Sequence, residues 1–197
     1  MKHPLEYDQV KSDIIKASGD VFTKYGFAKV SMQDISKASG KGRTTLYYYF
    51  KNKGEVLEAF AGKEFIEMLN KSQIELNDKE EFAQNIQHYY QTKLQVYKKL
   101  LHQYSKVIED IKAEPSFFIQ KNKLFFKEEV AVISKIIEWA VNNAEIALIP
   151  TANIKFLAET LVTAFRSFEQ EMILFGGLEN FESKLNWLTE ILYKGLK

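Results

Sequence analysis

The chain has 197 residues, 46% hydrophobic and 27% charged, with no cysteine, three prolines and nine glycines. These proportions suit a folded soluble protein of one domain or two small ones. They exclude disulfides and thiolate metal sites, and no apolar run reads as a signal peptide or a membrane span, so a cytoplasmic protein with no membrane partner is expected. The net charge of +1 hides an asymmetry. Residues 1–53 hold 10 Lys/Arg and 5 Asp/Glu, and the remainder holds 17 and 21, so a head of +5 precedes a body of −4. Such a head either meets a polyanion or reflects local patchiness.

Apolar residues recur at helical spacing along nearly the whole chain, and the expected class is all-α. Val10, Ile14, Ala17, Val21 and Tyr25 form a first stripe, widened by Phe22, and Gly26 follows as a C-terminal stop. Ser31 reads as the N-cap of a short helix with Asp34 in the capping-box position. Met32, Ile35 and Ala38 are its inner face, and Gly40 is its end. A third short helix is expected from Arg43 to about Lys51. Asn52 then caps a helix over about 53–75, with Glu55 at its third position. Asp78 is expected to cap one long helix that runs to Pro115, and Ser116 to open another that ends before "ALIPTAN". Two last helices, about 153–175 and 179–196, are separated by Gly176-Gly177.

The stretch "GKGRTTLYYYFKNK", residues 40–53, carries the most chemical information. On a helix over 43–50, Leu46 and Phe50 share one face. Thr44, Thr45 and Tyr48 take the opposite face, with Tyr47 and Tyr49 on the flanks. A helix with an apolar anchor and a hydroxyl-bearing outer face fits a DNA major groove. Thr and Tyr hydroxyls reach bases or phosphates there, and Arg43 and Lys53 add positive charge. A capped short helix, a glycine turn and a second short helix make a helix-turn-helix; the same pattern also describes a plain helical hairpin with surface tyrosines.

The segment "FTKYGFAKVSMQDISKASGKGRTTLYYYFKNKGEVLEAF" resembles the N-terminal signature of the TetR family of bacterial transcriptional repressors. It agrees at Phe22, Gly26, Phe27, Ser31, Asp34, Ile35, Gly40, Thr45, Leu46, Tyr47, Tyr49, Phe50, Asn52 and Lys53. The resemblance covers about residues 8–60. It implies a three-helix DNA-binding domain over 1–53 and an effector-binding and dimerisation domain over 54–197. The implied partners are a double-stranded DNA operator, a second copy of the chain and a small-molecule effector of unknown identity, with no cofactor. By position, Thr44, Thr45 and Tyr48 are implied to meet bases or nearby backbone, and Ser31, Tyr47, Tyr49 and Lys53 to meet phosphates. Lys41-Gly42 departs from the Val-Ser common in the family; a looser turn is expected, with a phosphate contact from Lys41.

The same resemblance implies a dimer interface on the last two helices. Leu157, Leu161, Phe165, Phe168, Met172 and Phe175 form one stripe, widened by Phe156, Ala164 and Ser167. The last helix offers Phe181, Leu185, Leu188 and Leu192, with Trp187 and Ile191 alongside. Leu161, Phe165, Phe168, Met172, Leu185, Leu188 and Leu192 are the candidate interface residues, and burial within one chain is the alternative. A dimer would set two recognition helices about 34–36 Å apart, in successive major grooves. Tyr89, Tyr97, Tyr104, Phe117, Phe118 and Trp139 are the candidate effector contacts, with core packing the alternative for each; His88 and His102 suit the surface better than a ligand site. An aromatic, carboxylate-poor interior would suit a flat or greasy effector, whose binding shifts the DNA-reading heads.

Catalytic patterns are missing. His3, His88 and His102 lack H-E-x-x-H spacing, and there is no G-x-S-x-G or dinucleotide glycine motif. The acid pairs Glu80-Glu81 and Glu128-Glu129 read as solvated helix faces. The expectation is a non-enzymatic, metal-free ligand-responsive repressor; an activator or a protein-interaction adaptor with the same head is the alternative.

Overall fold

A computed structural model of the chain describes residues 4–113, 125–175 and 181–197. Its elements among those residues are all α-helices: α1 Pro4–Tyr25, α2 Met32–Ser39, α3 Arg43–Tyr49, α4 Lys53–Ser72, α5 Phe82–Gln103, α6 Ser105–Ala113, α7 Phe126–Asn142, α8 Thr151–Phe175 and α9 Phe181–Leu196. The chain divides into two compact units. One is Met1–Ile66 with Lys99–Lys121, the other Glu67–Lys98 with Asn122–Lys197. The unit that holds the basic head therefore extends past residue 53 and takes in α6.

The first unit is built around one apolar cluster. Ile14, Val21 and Phe22 of α1 meet Ile35 of α2, Leu46 and Phe50 around α3, Val56, Leu57 and Phe60 of α4, and Val107 of α6. Tyr25, at the end of the α1 stripe, is exposed instead, with the Lys24 ammonium 5.0 Å from its ring. Ala38 is also exposed, so the inner face of α2 narrows to Ile35 with Met32 half-buried. Gly26 sits at φ 80°, a left-handed conformation that stops α1, and its N–H donates to the Phe22 carbonyl at 2.8 Å. The loop that follows is fastened by α6: the Asp110 carboxylate accepts the Ala28 N–H at 2.9 Å, and the Lys106 ammonium donates to the Lys24 carbonyl at 2.6 Å.

In the second unit α7 packs along α8, and the buried positions of α7 (Val130, Val132, Ile133, Ile136, Ile137, Ala140) follow its helical repeat. Two expectations for the middle of the chain are corrected. Asp78 does not cap α5. That helix begins at Phe82, whose N–H donates to both oxygens of Glu145 at 2.7 and 2.9 Å, and the preceding turn is organised by buried Asn85, which donates to the Asn77 and Glu80 carbonyls. The expected single helix reaching Pro115 breaks at Tyr104, which separates α5 from α6. Tyr104 packs edge-on against Phe60 at 5.2 Å, so the break turns the following residues toward the head's core.

A methyl group added at Gly26 would lie 2.8 Å from Asp110 Oδ2, on a backbone that disfavours side chains by about 1–2 kcal/mol. Gly26→Ala is expected to lower unfolding free energy by at least that amount in urea titration; an unchanged midpoint would contradict this account of the loop.

Candidate nucleic-acid interface

Local chemistry sets the geometry of α2 and its turn. The Ser31 hydroxyl accepts the Asp34 N–H at 3.3 Å and donates to the Asp34 carboxylate at 2.5 Å, while that carboxylate accepts the Ser31 N–H at 2.9 Å. This is a complete capping box. Gly40, at φ 64°, ends the helix. The turn is tied at both sides rather than loosened by Lys41-Gly42. The Ser36 hydroxyl donates to the Lys41 carbonyl at 2.7 Å, and the Lys41 ammonium pairs with Asp13 of α1 at 3.0 Å. Hydrogen bonds from Gln9 and from Lys41 hold the Asp13 carboxyl below its ordinary value. The Lys41 charge is thus already engaged within the head.

α3 is anchored by Leu46, fully buried, and by Phe50 just after its end. Its other side faces outward. Arg43, Thr44, Tyr47 and Tyr48 are exposed, Tyr48 at 72%, and Thr45 is half-buried. The Arg43 guanidinium lies 5.6 Å from the Tyr47 ring. Two expected phosphate contacts are placed differently. The Tyr49 ring packs edge-on against Tyr48 at 5.2 Å and its hydroxyl is buried, out of reach of a phosphate in this conformation. The Lys53 ammonium donates to the Phe27 and Ala28 carbonyls at 2.9 and 3.1 Å and sits 4.6 Å from the Phe27 ring. It serves the loop after α1, where the Phe27 carbonyl also accepts the Val30 N–H at 3.4 Å. Asn52 caps α4 through the Glu55 N–H at 3.0 Å.

Of the effector candidates in the larger half, Tyr89, Tyr97, Tyr104 and Trp139 lie among the described residues. Phe117 and Phe118 lie outside the described residues. Tyr104 belongs to the head's unit, and Trp139 is half-buried with the Lys135 ammonium 4.7 Å from its ring. Tyr89 is buried beside Tyr90, their rings 4.9 Å apart. Tyr97 lines a small cavity with Tyr90, Leu94, Phe165, Glu169 and Met172. Of the interface candidates, Phe165 and Leu185 are buried in this chain's own core, Phe165 because its ring stacks on Tyr90 at 3.6 Å. Leu161, Phe168, Met172, Leu188 and Leu192 are half-buried. The uncovered apolar residues are their neighbours: Phe156 and Phe175 on α8, Trp187 and Ile191 on α9.

The interior also holds charges that the sequence reading missed. Glu129, expected on a solvated face, is completely buried, because its carboxylate is held by Lys93 at 2.8 Å and by Arg166 at 3.4 Å. Lys93 also pairs with Glu169 at 2.6 Å. Burial pushes the Glu169 carboxyl above its ordinary value, against the pull of Lys93. The visible signal was Lys93 standing among apolar positions of one helix face, between Tyr89, Tyr90 and Tyr97.

A family model described as "Bacterial regulatory proteins, tetR family" matches residues 14–60. The HTH-type transcriptional regulator TtgR of Pseudomonas putida is 33% identical over 54 residues, 27% of this chain; the match spans about a quarter, 26%, of TtgR's own length. Two solved structures extend the likeness to the whole fold. A TetR-family transcriptional regulator from Pectobacterium atrosepticum has TM-score 0.65 at 15% identity, covering 99% of this chain and 97% of its own. SmeT, the repressor of the Stenotrophomonas maltophilia multidrug efflux pump SmeDEF, has TM-score 0.58 at 15% identity, covering 93% and 87%.

The Asp34 carboxyl is held below its ordinary 3.8, first by the Ser31 hydroxyl and then by the Ser31 N–H. A depressed carboxyl stabilises the fold above its unfolded-state value and loses that contribution as pH falls through the lower folded value. Ser31→Ala is expected to cost about 1 kcal/mol at neutral pH. Urea titrations should show the difference from the parent chain narrowing below the ordinary carboxyl value of 3.8; a pH-independent difference would contradict the assignment.

Proposed function

We propose that this chain, which belongs to the TetR family of bacterial regulatory proteins, is a ligand-responsive transcriptional repressor. In this reading it binds a near-palindromic operator as a homodimer and is released by a small-molecule effector. The observation that carries the reading is the outer face of α3. Thr44, Tyr47, Tyr48 and Arg43 stand in solvent on a helix whose opposite side is locked by Leu46 and Phe50. That division suits insertion into a major groove. Thr44 and Tyr48 are the residues assigned to bases, with Thr45 at the edge of the contact. Arg43, Tyr47 and the exposed N-terminal edge of α2 at Ser31 are assigned to the backbone. Lys41 and Lys53 act mainly by holding the turn and the neighbouring loop in place.

Repression is supported by what SmeT is described as doing. Self-association is supported by large apolar side chains left in solvent, Phe156 at 70% and Trp187 at 64%. The effector reading rests on the second unit, whose aromatic and charged interior is the place for a ligand.

Binding of the full chain to fragments of its source genome, followed by band-shift titration of the selected sites, tests the DNA role. Thr44→Ala and Tyr48→Ala are each expected to cost about 1–3 kcal/mol on the preferred sequence and far less on random DNA. Arg43→Ala is expected to weaken both and to lower the salt slope by about 1. Failure to select any sequence would end the proposal. For assembly, sedimentation should show twice the mass of one chain and Trp187→Glu should shift it toward the monomer; a parent chain that stays monomeric at tens of micromolar rejects the dimer.

A further inference from the structure

The turn between α2 and α3 is Gly40-Lys41-Gly42, and Lys41 supplies its only side chain. A Cβ added at Gly40 or at Gly42 would meet nothing within 4 Å, so the turn is not steadied by packing at either glycine. Gly42 gives α3 no side-chain cap, and the core anchors of that helix, Leu46 and Phe50, lie at its middle and just past its end. Its first residues, Arg43 and Thr44, are exposed. The leading end of α3 is therefore held from the turn.

Two ties hold Lys41. Its carbonyl accepts the Ser36 hydroxyl at 2.7 Å, which joins the turn to α2. Its ammonium lies 3.0 Å from Asp13 Oδ2, which joins the turn to α1. Asp13 is itself braced, because its Oδ1 accepts the side-chain N–H of Gln9 at 2.9 Å, one helical turn earlier. The hydrogen bonds from Gln9 and from Lys41 hold the Asp13 carboxyl below its ordinary value, so it is ionised at neutral pH. Both partners are partly exposed, and pairs of this kind add little to the stability of a fold. A contact of that strength is suited to biasing the angle of a short helix end.

We propose that Asp13 is a positioning residue for base readout: through Lys41 it holds the leading turn of α3 at the angle from which Thr44 meets a base. This role rests on the reading of α3 as the DNA-contacting helix. An acid beside a surface assigned to a polyanion lowers affinity for any sequence by its charge alone. Positioning and charge therefore predict different effects of removing it.

Band-shift titration of the full chain on a selected site and on random duplex of equal length, over a range of salt, tests the role with Asp13→Ala, Lys41→Met and the double variant. Base contacts form only in the share of molecules with α3 at the right angle, so loss of one exposed pair is expected to reduce the preference for the selected site about threefold. Lys41→Met should reduce it about equally and the double variant no further, since all remove the same contact. All three should melt close to the parent. Equal tightening by Asp13→Ala on both duplexes, with a steeper salt dependence, marks Asp13 as a charge brake and overturns positioning. Full additivity in the double variant overturns it too, as does a marked fall in melting temperature, which makes the pair a support of the fold itself. A parent chain with no sequence preference ends the DNA reading and this role with it. A parent whose preference survives intact in Asp13→Ala ends this role alone.

Discussion

The burial of Leu46 holds the candidate interface together. α3 is seven residues long, and its N-cap, Gly42, offers no side-chain acceptor. A helix of two turns does not offset its own nucleation cost in water. It exists because Leu46 and Phe50 are inserted into the cluster made by Ile14, Phe22, Ile35 and Val56, burial that contributes about 1.5–3 kcal/mol for each large side chain. The outward positions of Arg43, Thr44, Tyr47 and Tyr48 are consequences of that insertion. A one-residue shift of the helix would turn them about 100° from where they stand.

Around that anchor the head uses its own charges for construction. Lys41 is joined to Asp13 and Lys53 to two loop carbonyls. The excess of +5 already subtracts Asp13, so these contacts leave its size unchanged and fix where two of its ammonium groups lie. Arg43 and Lys51, both exposed, are better placed to meet a polyanion than Lys41 and Lys53.

Local signals were readable from the sequence because they act within a few residues. The Ser31–Asp34 box, the stops at Gly26 and Gly40, the Asn52 cap and the division of α3 into an anchored and an open side all follow from spacing and side-chain chemistry. Long-range pairing decides the remainder. Nothing near Phe82 announces that Glu145, 63 residues later, receives its N–H. Nothing near Glu129 announces Lys93 and Arg166. Tyr104 interrupts a pattern that is helical on both sides, and its reason lies at Phe60. Phe165 and Leu185 carry the same apolar stripe as their neighbours, and for Phe165 only the stacked ring of Tyr90 tells an inner position from an outer one.

The fastening of the head by α6 bears on how the protein is made. Val107 belongs to the head's cluster, and Asp110 accepts the Ala28 N–H across 82 residues of chain. A ribosome that has released only the chain up to Phe60 has delivered every group assigned to DNA and still lacks part of the core beneath them. Until α6 has emerged, a nascent chain carries those residues without Val107 and Asp110 beneath them.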